Sequence, residues 1–212
     1  RIYTVCTSYA RAALLGRCRD RQELTGFIPN LALTEGDRHM FIVFAGLPGV
    51  GKSTIAHKLA SILPAFYLRI DTIEKAIVAS DMLSQPGAAG YLTAYRLAAD
   101  NLAIGHTVIA DSVNPLKITR DTYRSVAISA KVPLTEVEVI CSDVVEHRRR
   151  VESRREKSQD PSQPTWTAVQ SREYAPWDRP RLVIDTASVS TNDAVGLIVD
   201  QLRQSGWRSL LN

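Results

Sequence analysis

The 212-residue chain has room for one full-sized domain with an appendage. Its composition, 45% hydrophobic and 23% charged, is that of a globular protein, and no apolar run is long enough to span a bilayer. A net charge of +4 suits anionic ligands without marking a nucleic-acid surface, and three cysteines (Cys6, Cys18, Cys141) at no ligand or redox spacing argue against a disulfide framework and for a reducing, cytoplasmic setting.

Residues 1–39 read differently from the rest. Arg11, Arg17, Arg19 and Arg21 are scattered among small residues, and the stretch 25–29 follows no period. Residues 9–24 have the makings of one helix. The expectation is an extension ahead of a natural start at Met40, with a targeting segment or partner-binding arm as the alternative. Asp20, Glu23 and the lack of a long apolar stretch argue against a secretory signal. The domain itself is expected over 40–212, with no internal repeat or low-complexity tract.

A β-rich apolar strand is predicted over 41–45. It runs into Gly46-Leu47-Pro48-Gly49-Val50-Gly51-Lys52-Ser53, which has the spacing G-x-x-x-x-G-K-[ST]. Glycines permit a tight turn whose N–H groups converge on an anion, and the following helix adds its positive end. Lys52 is placed to reach the β- and γ-phosphates of a nucleotide and Ser53 to ligate Mg²⁺; Thr54 closes the nucleotide-contacting run. Ile55, Leu59 and Ile62 mark one apolar helix face.

Further along, a second strand is predicted over 66–70, ending at Asp71, then helices over 74–79 and 91–102. Leu92, Tyr95, Ala99 and Leu102 form the apolar spacing of the latter, and Gly105 stops it. A third strand over 107–110 ends at Asp111. A helix over 118–130, a strand over 135–141 and a charged helix over 144–157 follow. The Pro-rich stretch 158–180 contains Trp166, Tyr174 and Trp177, which could wall a pocket or pack a lid of about 144–180 against the body. A last strand over 182–184, ending at Asp185, and a helix over 193–204 close the chain. This alternation predicts an α/β fold of three layers: a parallel sheet with helices on both faces and a helical lid. Ligands of such sheets bind beyond the carboxyl ends of the strands, where the phosphate loop, Asp71 and Asp111 all lie.

The N-K-x-D of a GTPase and the L-S-G-G-Q of a transporter ATPase are absent, and no Glu follows Asp111 to polarise water. Four stretches instead resemble the small P-loop kinases, AAA-type ATP-binding enzymes that include chloramphenicol phosphotransferase, the zeta-toxin kinases, gluconate-type kinases and the kinase domain of polynucleotide kinase. They are the phosphate loop, "RIDTIE" (69–74), "GHTVIADSVNP" (105–115) and "CSDVVEHRRRVESRR" (141–155). The resemblance spans roughly 40–203. Adenylylsulfate kinases share the core, but their D-G-D is replaced by Arg69-Ile70-Asp71, which counts against sulfate activation.

The resemblance implies the P-loop NTPase fold, ATP and Mg²⁺ as cofactors and a small-molecule hydroxyl as acceptor; the apolar runs and the modest charge argue against a membrane and against a nucleic-acid partner. It makes Asp71 the base facing the acceptor; a helix N-cap, boxed with Glu74, is the plainer reading. Asp111 would hold Mg²⁺ through water or bind a substrate hydroxyl. Asn114 would join it, unless Asn114-Pro115 is only a turn. Arg120 is a candidate for a substrate anion. Arg150 and Arg154 match the R-x-x-x-R of the resembling lids, with Arg149 in reserve, against the alternative of a solvated helix paired to Glu146, Glu152 and Glu156. The stretch 186–190 is where such kinases hold adenine. A polynucleotide 5′-hydroxyl kinase, a zeta-toxin-like nucleotide-sugar kinase and a non-catalytic nucleotide-binding regulator are the alternatives.

Overall fold

The computed structural model describes residues 39–80, 85–158 and 162–206. The expected extension and its helix over 9–24 lie outside the described residues. Five strands, β1 (Phe41–Ala45), β2 (Ala65–Arg69), β3 (Thr107–Asp111), β4 (Leu134–Ile140) and β5 (Leu182–Asp185), form one parallel sheet in the order β2-β3-β1-β4-β5. Every residue of β1 is buried, because the strand is central and covered on both faces. Alternation then sorts its side chains. Ile42 and Phe44 join Val137, Val139 and Ile184 in a core completed by α1 (Lys52–Ile62) and α7 (Thr191–Gln204). Phe41 and Val43 face a second core with α3 (Ala89–Ala103) and α4 (Lys117–Ala130). Among the described residues no helix is long and apolar enough to cross a membrane.

Three sequence expectations shift. β2 ends at Arg69, and α2 (Ile70–Ala79) begins at once, four residues earlier than predicted, because Ile70 is buried in the second core and no loop separates strand from helix. The apolar face of α3 is Gly90, Ala94, Ala98 and Leu102, while Leu92 is 58% exposed. Small residues four apart let the helix lie close to its neighbours, so packing, not hydrophobicity alone, chooses the face. On α1 Ile62 is likewise exposed, and the following Leu63 is buried instead. The charged helix α5 (Val144–Lys157) starts and ends as expected, with Asp143 accepting from the N–H groups of Val145 and Glu146. Within the Pro-rich stretch a short helix, α6 (Trp166–Gln170), is capped by Thr165.

One face of β4 carries two buried carboxylates, Glu136 and Glu138. They are covered by the segment 174–181. Arg179 binds Glu136 through two parallel bonds of 2.8 Å and reaches Asp121 at 2.6 Å, and Arg181 pairs with Glu138. A buried pair is strongly destabilising to break, because one charge is left alone. Arg179→Met should therefore lower stability by about 3 kcal/mol, and adding Glu136→Leu should recover most of it in urea unfolding. Equal losses in the single and double variants would show that the pair does not hold this segment down.

Candidate active site

The loop between β1 and α1 depends on two glycines. Gly46 leaves β1 at φ 134° with its N–H bonded to the Val113 carbonyl, and a Cβ there would stand 2.1 Å from the Val139 carbonyl oxygen. Gly49 has φ 88°, and a Cβ would meet Val151 Cγ2 at 2.5 Å. α1 begins at Lys52 with no side-chain cap, so its first N–H groups and the positive end of its dipole are left for a ligand. Lys52 itself is buried, and its Nζ donates to the Leu47 carbonyl at 2.9 Å. Burial lowers its pKa to about 8, with Arg154 and Arg172 adding to the fall while Asp111 and Asp71 oppose it.

Across the cavity from this lysine the rim carboxylates are joined by a residue that carried no sequence assignment. β2 pairs Arg69 directly with Asp111. The Arg69 guanidinium donates to Asp71 Oδ2 at 3.0 Å and stands 3.7 Å from Asp111 Oδ2, which also accepts from the Tyr67 hydroxyl at 2.8 Å. Tyr67 and Arg69 are two apart on a strand and so share a face. Burial and the Asp111 charge push the Tyr67 phenol up, which keeps it a donor. Asp71 is not a cap: the N-cap of α2 is Arg69, and no side chain bonds to that helix end. Asp71 is instead a first-turn acid, half-exposed toward the cavity. Glu74, one turn on, lines the same cavity rather than closing a capping box. Burial and Asp71 push its carboxyl up, against the pull of Arg172.

Two other expected contacts are structural. Asn114 is fully buried at φ 47°, its N–H on the Tyr91 hydroxyl and its side-chain amide without a partner, and it does not line the cavity. Arg120 is 1% exposed. It donates to the carbonyls of Asn114, Pro115 and Pro176 and lies under the rings of Trp177 and Tyr174 at 4.2 and 4.9 Å. Its donors serve backbone carbonyls, which removes it from substrate. Tyr174 and Trp177 thus pack the post-lid segment onto the body, and Trp166 stacks edge-on against His147 at 5.1 Å. None of the three aromatics lines the cavity.

The lid arginines divide. Arg150 spends its donors on Glu146, the Thr186 hydroxyl and the Thr186 carbonyl, and Arg149 is exposed and paired with Glu146. Arg154 points into the cavity. Arg172, just beyond α6, does so too, although nothing in its loop context flagged it. The result is a cavity of about 570 Å³ lined by Lys52, Ser53, Asp71, Glu74, Asp111, Arg154 and Arg172. It shares Gly49, Gly51 and Arg154 with a second cavity of about 420 Å³, walled by Thr54, Arg150, Thr186 and Ser190.

Residues 41–173, more than half of the chain, match the family described as an AAA domain. The chain belongs to the AAA domain family. No protein of curated function matches it at a significant level. Among solved structures this AAA domain is similar to a protein from Chloroflexus aurantiacus J-10-fl assigned as a kinase, at 23% identity and TM-score 0.64, over 80% of this chain and 98% of that one. It is similar to the APS kinase CysC of Mycobacterium tuberculosis, solved with AMPPNP and APS, at 21% identity and TM-score 0.62, over 79% and 99%. It is also similar to a gluconokinase from Sinorhizobium meliloti 1021, at 15% identity and TM-score 0.54, over 80% and 98%. The fold is that of the small P-loop kinases, as the four sequence stretches implied.

The buried lysine has a measurable cost. Its folded pKa is depressed, so the penalty on folding is present in full below pH 8 and fades as pH rises toward the unfolded value of 10.5. Lys52→Met should raise ligand-free stability at pH 7 by up to about 3 kcal/mol, less what the Leu47 carbonyl loses, and the advantage should shrink to under about 1 kcal/mol by pH 10. Unfolding of the two proteins at pH 7 and 10 checks this; equal stability at pH 7 would contradict it.

Proposed function

We propose that this AAA domain is an ATP- and Mg²⁺-dependent phosphotransferase whose acceptor is a hydroxyl group of a small molecule. The observation that carries the reading is the single cavity in which a lysine-bearing phosphate loop, two rim carboxylates and two lid-side arginines meet. The triphosphate lies along the loop and the N-terminus of α1, with Lys52 released from Leu47 to the phosphates. The nucleoside end occupies the second cavity, beside Thr186 and Ser190. Asp71 accepts the proton of the attacking hydroxyl, its carboxylate held by Arg69. Arg154 and Arg172 meet the charge that spreads over the equatorial oxygens of the transferring group. Arg150, matched by sequence to the same task, holds Thr186 instead.

The donor set fits Mg²⁺. Ser53 and Asp111 line one cavity, and among the described residues no cluster of three His, Cys, Asp or Glu side chains forms a closed metal cage. A cation that keeps its waters and takes phosphate oxygens needs no more than this hydroxyl and a nearby carboxylate. When bound it would neutralise charge on the β- and γ-phosphates.

Incubation with ATP and a panel of alcohols, read by mass spectrometry for an added phosphate, should find an acceptor, and Lys52→Ala should abolish transfer. ATP-dependent partner binding with no transfer to any alcohol would favour a regulator. With an acceptor in hand, Asp71→Asn should lower kcat by about 10²–10⁴-fold with ATP affinity nearly unchanged. Asp111→Asn should be partly rescued by raised Mg²⁺. Rescue of Asp71→Asn by Mg²⁺, and not of Asp111→Asn, would exchange the two roles.

A further inference from the structure

The lid helix α5 does more than present Arg154. Its His147 and Val151, one turn apart, are both buried against the phosphate loop at Gly49. His147 Nε2 lies 2.8 Å from the Pro48 carbonyl oxygen. A carbonyl only accepts, so this nitrogen carries the hydrogen. Trp166 of α6 stacks edge-on against the same ring and holds it in place. Two residues along the loop, the Val50 carbonyl accepts from the Thr186 hydroxyl at 2.8 Å, sharing its hydrogen with the Ile140 carbonyl at 3.1 Å, and that hydroxyl is itself gripped by Arg150 at 2.8 Å.

These contacts fix more than the carbonyls. No described peptide is cis. In a trans peptide the C=O and the following N–H point in opposite directions. A Pro48 carbonyl held against His147 turns the Gly49 N–H away from α5, and a Val50 carbonyl held by Thr186 does the same for the Gly51 N–H. Gly49 and Gly51 both line the cavity that contains Lys52. At φ 88° and 101° these glycines have more backbone freedom than any other residue, so their peptides need an outside restraint to keep one orientation.

We propose that His147 is a positioning residue for the donor phosphates: it aims the Gly49 N–H by holding the Pro48 carbonyl, with the Arg150–Thr186 pair doing the same for Gly51. α5 is then a brace for the phosphate cradle along its first two turns, and a carrier of a catalytic cation only at Arg154. This rests on the nucleotide-binding reading above, but it requires no acceptor.

The test is MgADP affinity, measured by calorimetry alongside ligand-free melting temperature, in the wild type, His147→Phe and His147→Gln. Phenylalanine keeps a ring against Trp166 and Gly49 but cannot donate; glutamine can place an amide N–H near Nε2. His147→Phe should weaken MgADP binding about tenfold with little change in melting temperature, because an unheld carbonyl frees the peptide. His147→Gln should restore most of the affinity. Thr186→Val, which removes the other hydroxyl donor, should weaken binding comparably. Unchanged affinity in His147→Phe overturns the proposal, as does a loss that glutamine fails to restore or that simply tracks a fall in melting temperature. Failure of the wild type to bind MgADP would overturn the nucleotide reading itself, a separate outcome.

Discussion

The close approach of Gly46 to the Val139 carbonyl is the constraint on which the site depends. β1 is central and buried on both faces, so its end can only turn where a neighbouring strand leaves room. At Gly46 that room is smaller than a methyl group. The turn that results bends the loop back over the strand ends and starts α1 at Lys52 without a cap. The bare N–H groups of that helix end and the buried ammonium of Lys52 follow from it. Each is costly in the free protein.

The sheet also decides which charges meet. Parallel pairing sets Arg69 beside Asp111, and the direct passage of β2 into α2 brings Asp71 within reach of the same guanidinium. Asp71 and Asp111 are therefore linked through one cation rather than standing as separate groups. Tyr67 completes the arrangement from below. Meanwhile the outer face of β4 is closed by arginines of the segment 174–181 and not by a helix. These pairs hold the segment 174–181 against the sheet. Tyr174, Trp177 and Arg120 form a stacked layer, and nearby Arg172 lines the cavity.

Much of this was legible in the sequence. Strand–helix alternation gave the three-layer sheet, and the spacing from Gly46 to Ser53 gave the cradle, because both are local periodicities written into consecutive residues. The strand-end carboxylates Asp71 and Asp111 were found by the same logic, since the carboxyl edge of a parallel sheet is where ligands lie. The expected bounds of α5 matched for a related reason: Asp143 caps its start through its own side chain.

Tertiary structure decided what depends on residues far apart in the chain. The sequence reading offered Arg150 and Arg154, with Arg149 in reserve and Arg120 for a substrate anion, and passed over Arg172. Only folding spends Arg120, Arg149 and Arg150 on carbonyls, glutamate and Thr186 and leaves Arg154 and Arg172 facing the cavity. His147 could not be singled out, because its partner is a carbonyl oxygen nearly a hundred positions away. The capping box of Asp71 and Glu74, the alternative to a base at Asp71, fits by spacing alone and fails because the helix starts at Ile70 to bury that side chain. The sequence by itself determined the fold and the phosphate cradle, since these rest on short-range patterns of burial and backbone freedom. Which charges remain free to act was settled by long-range pairing, which no local pattern encodes.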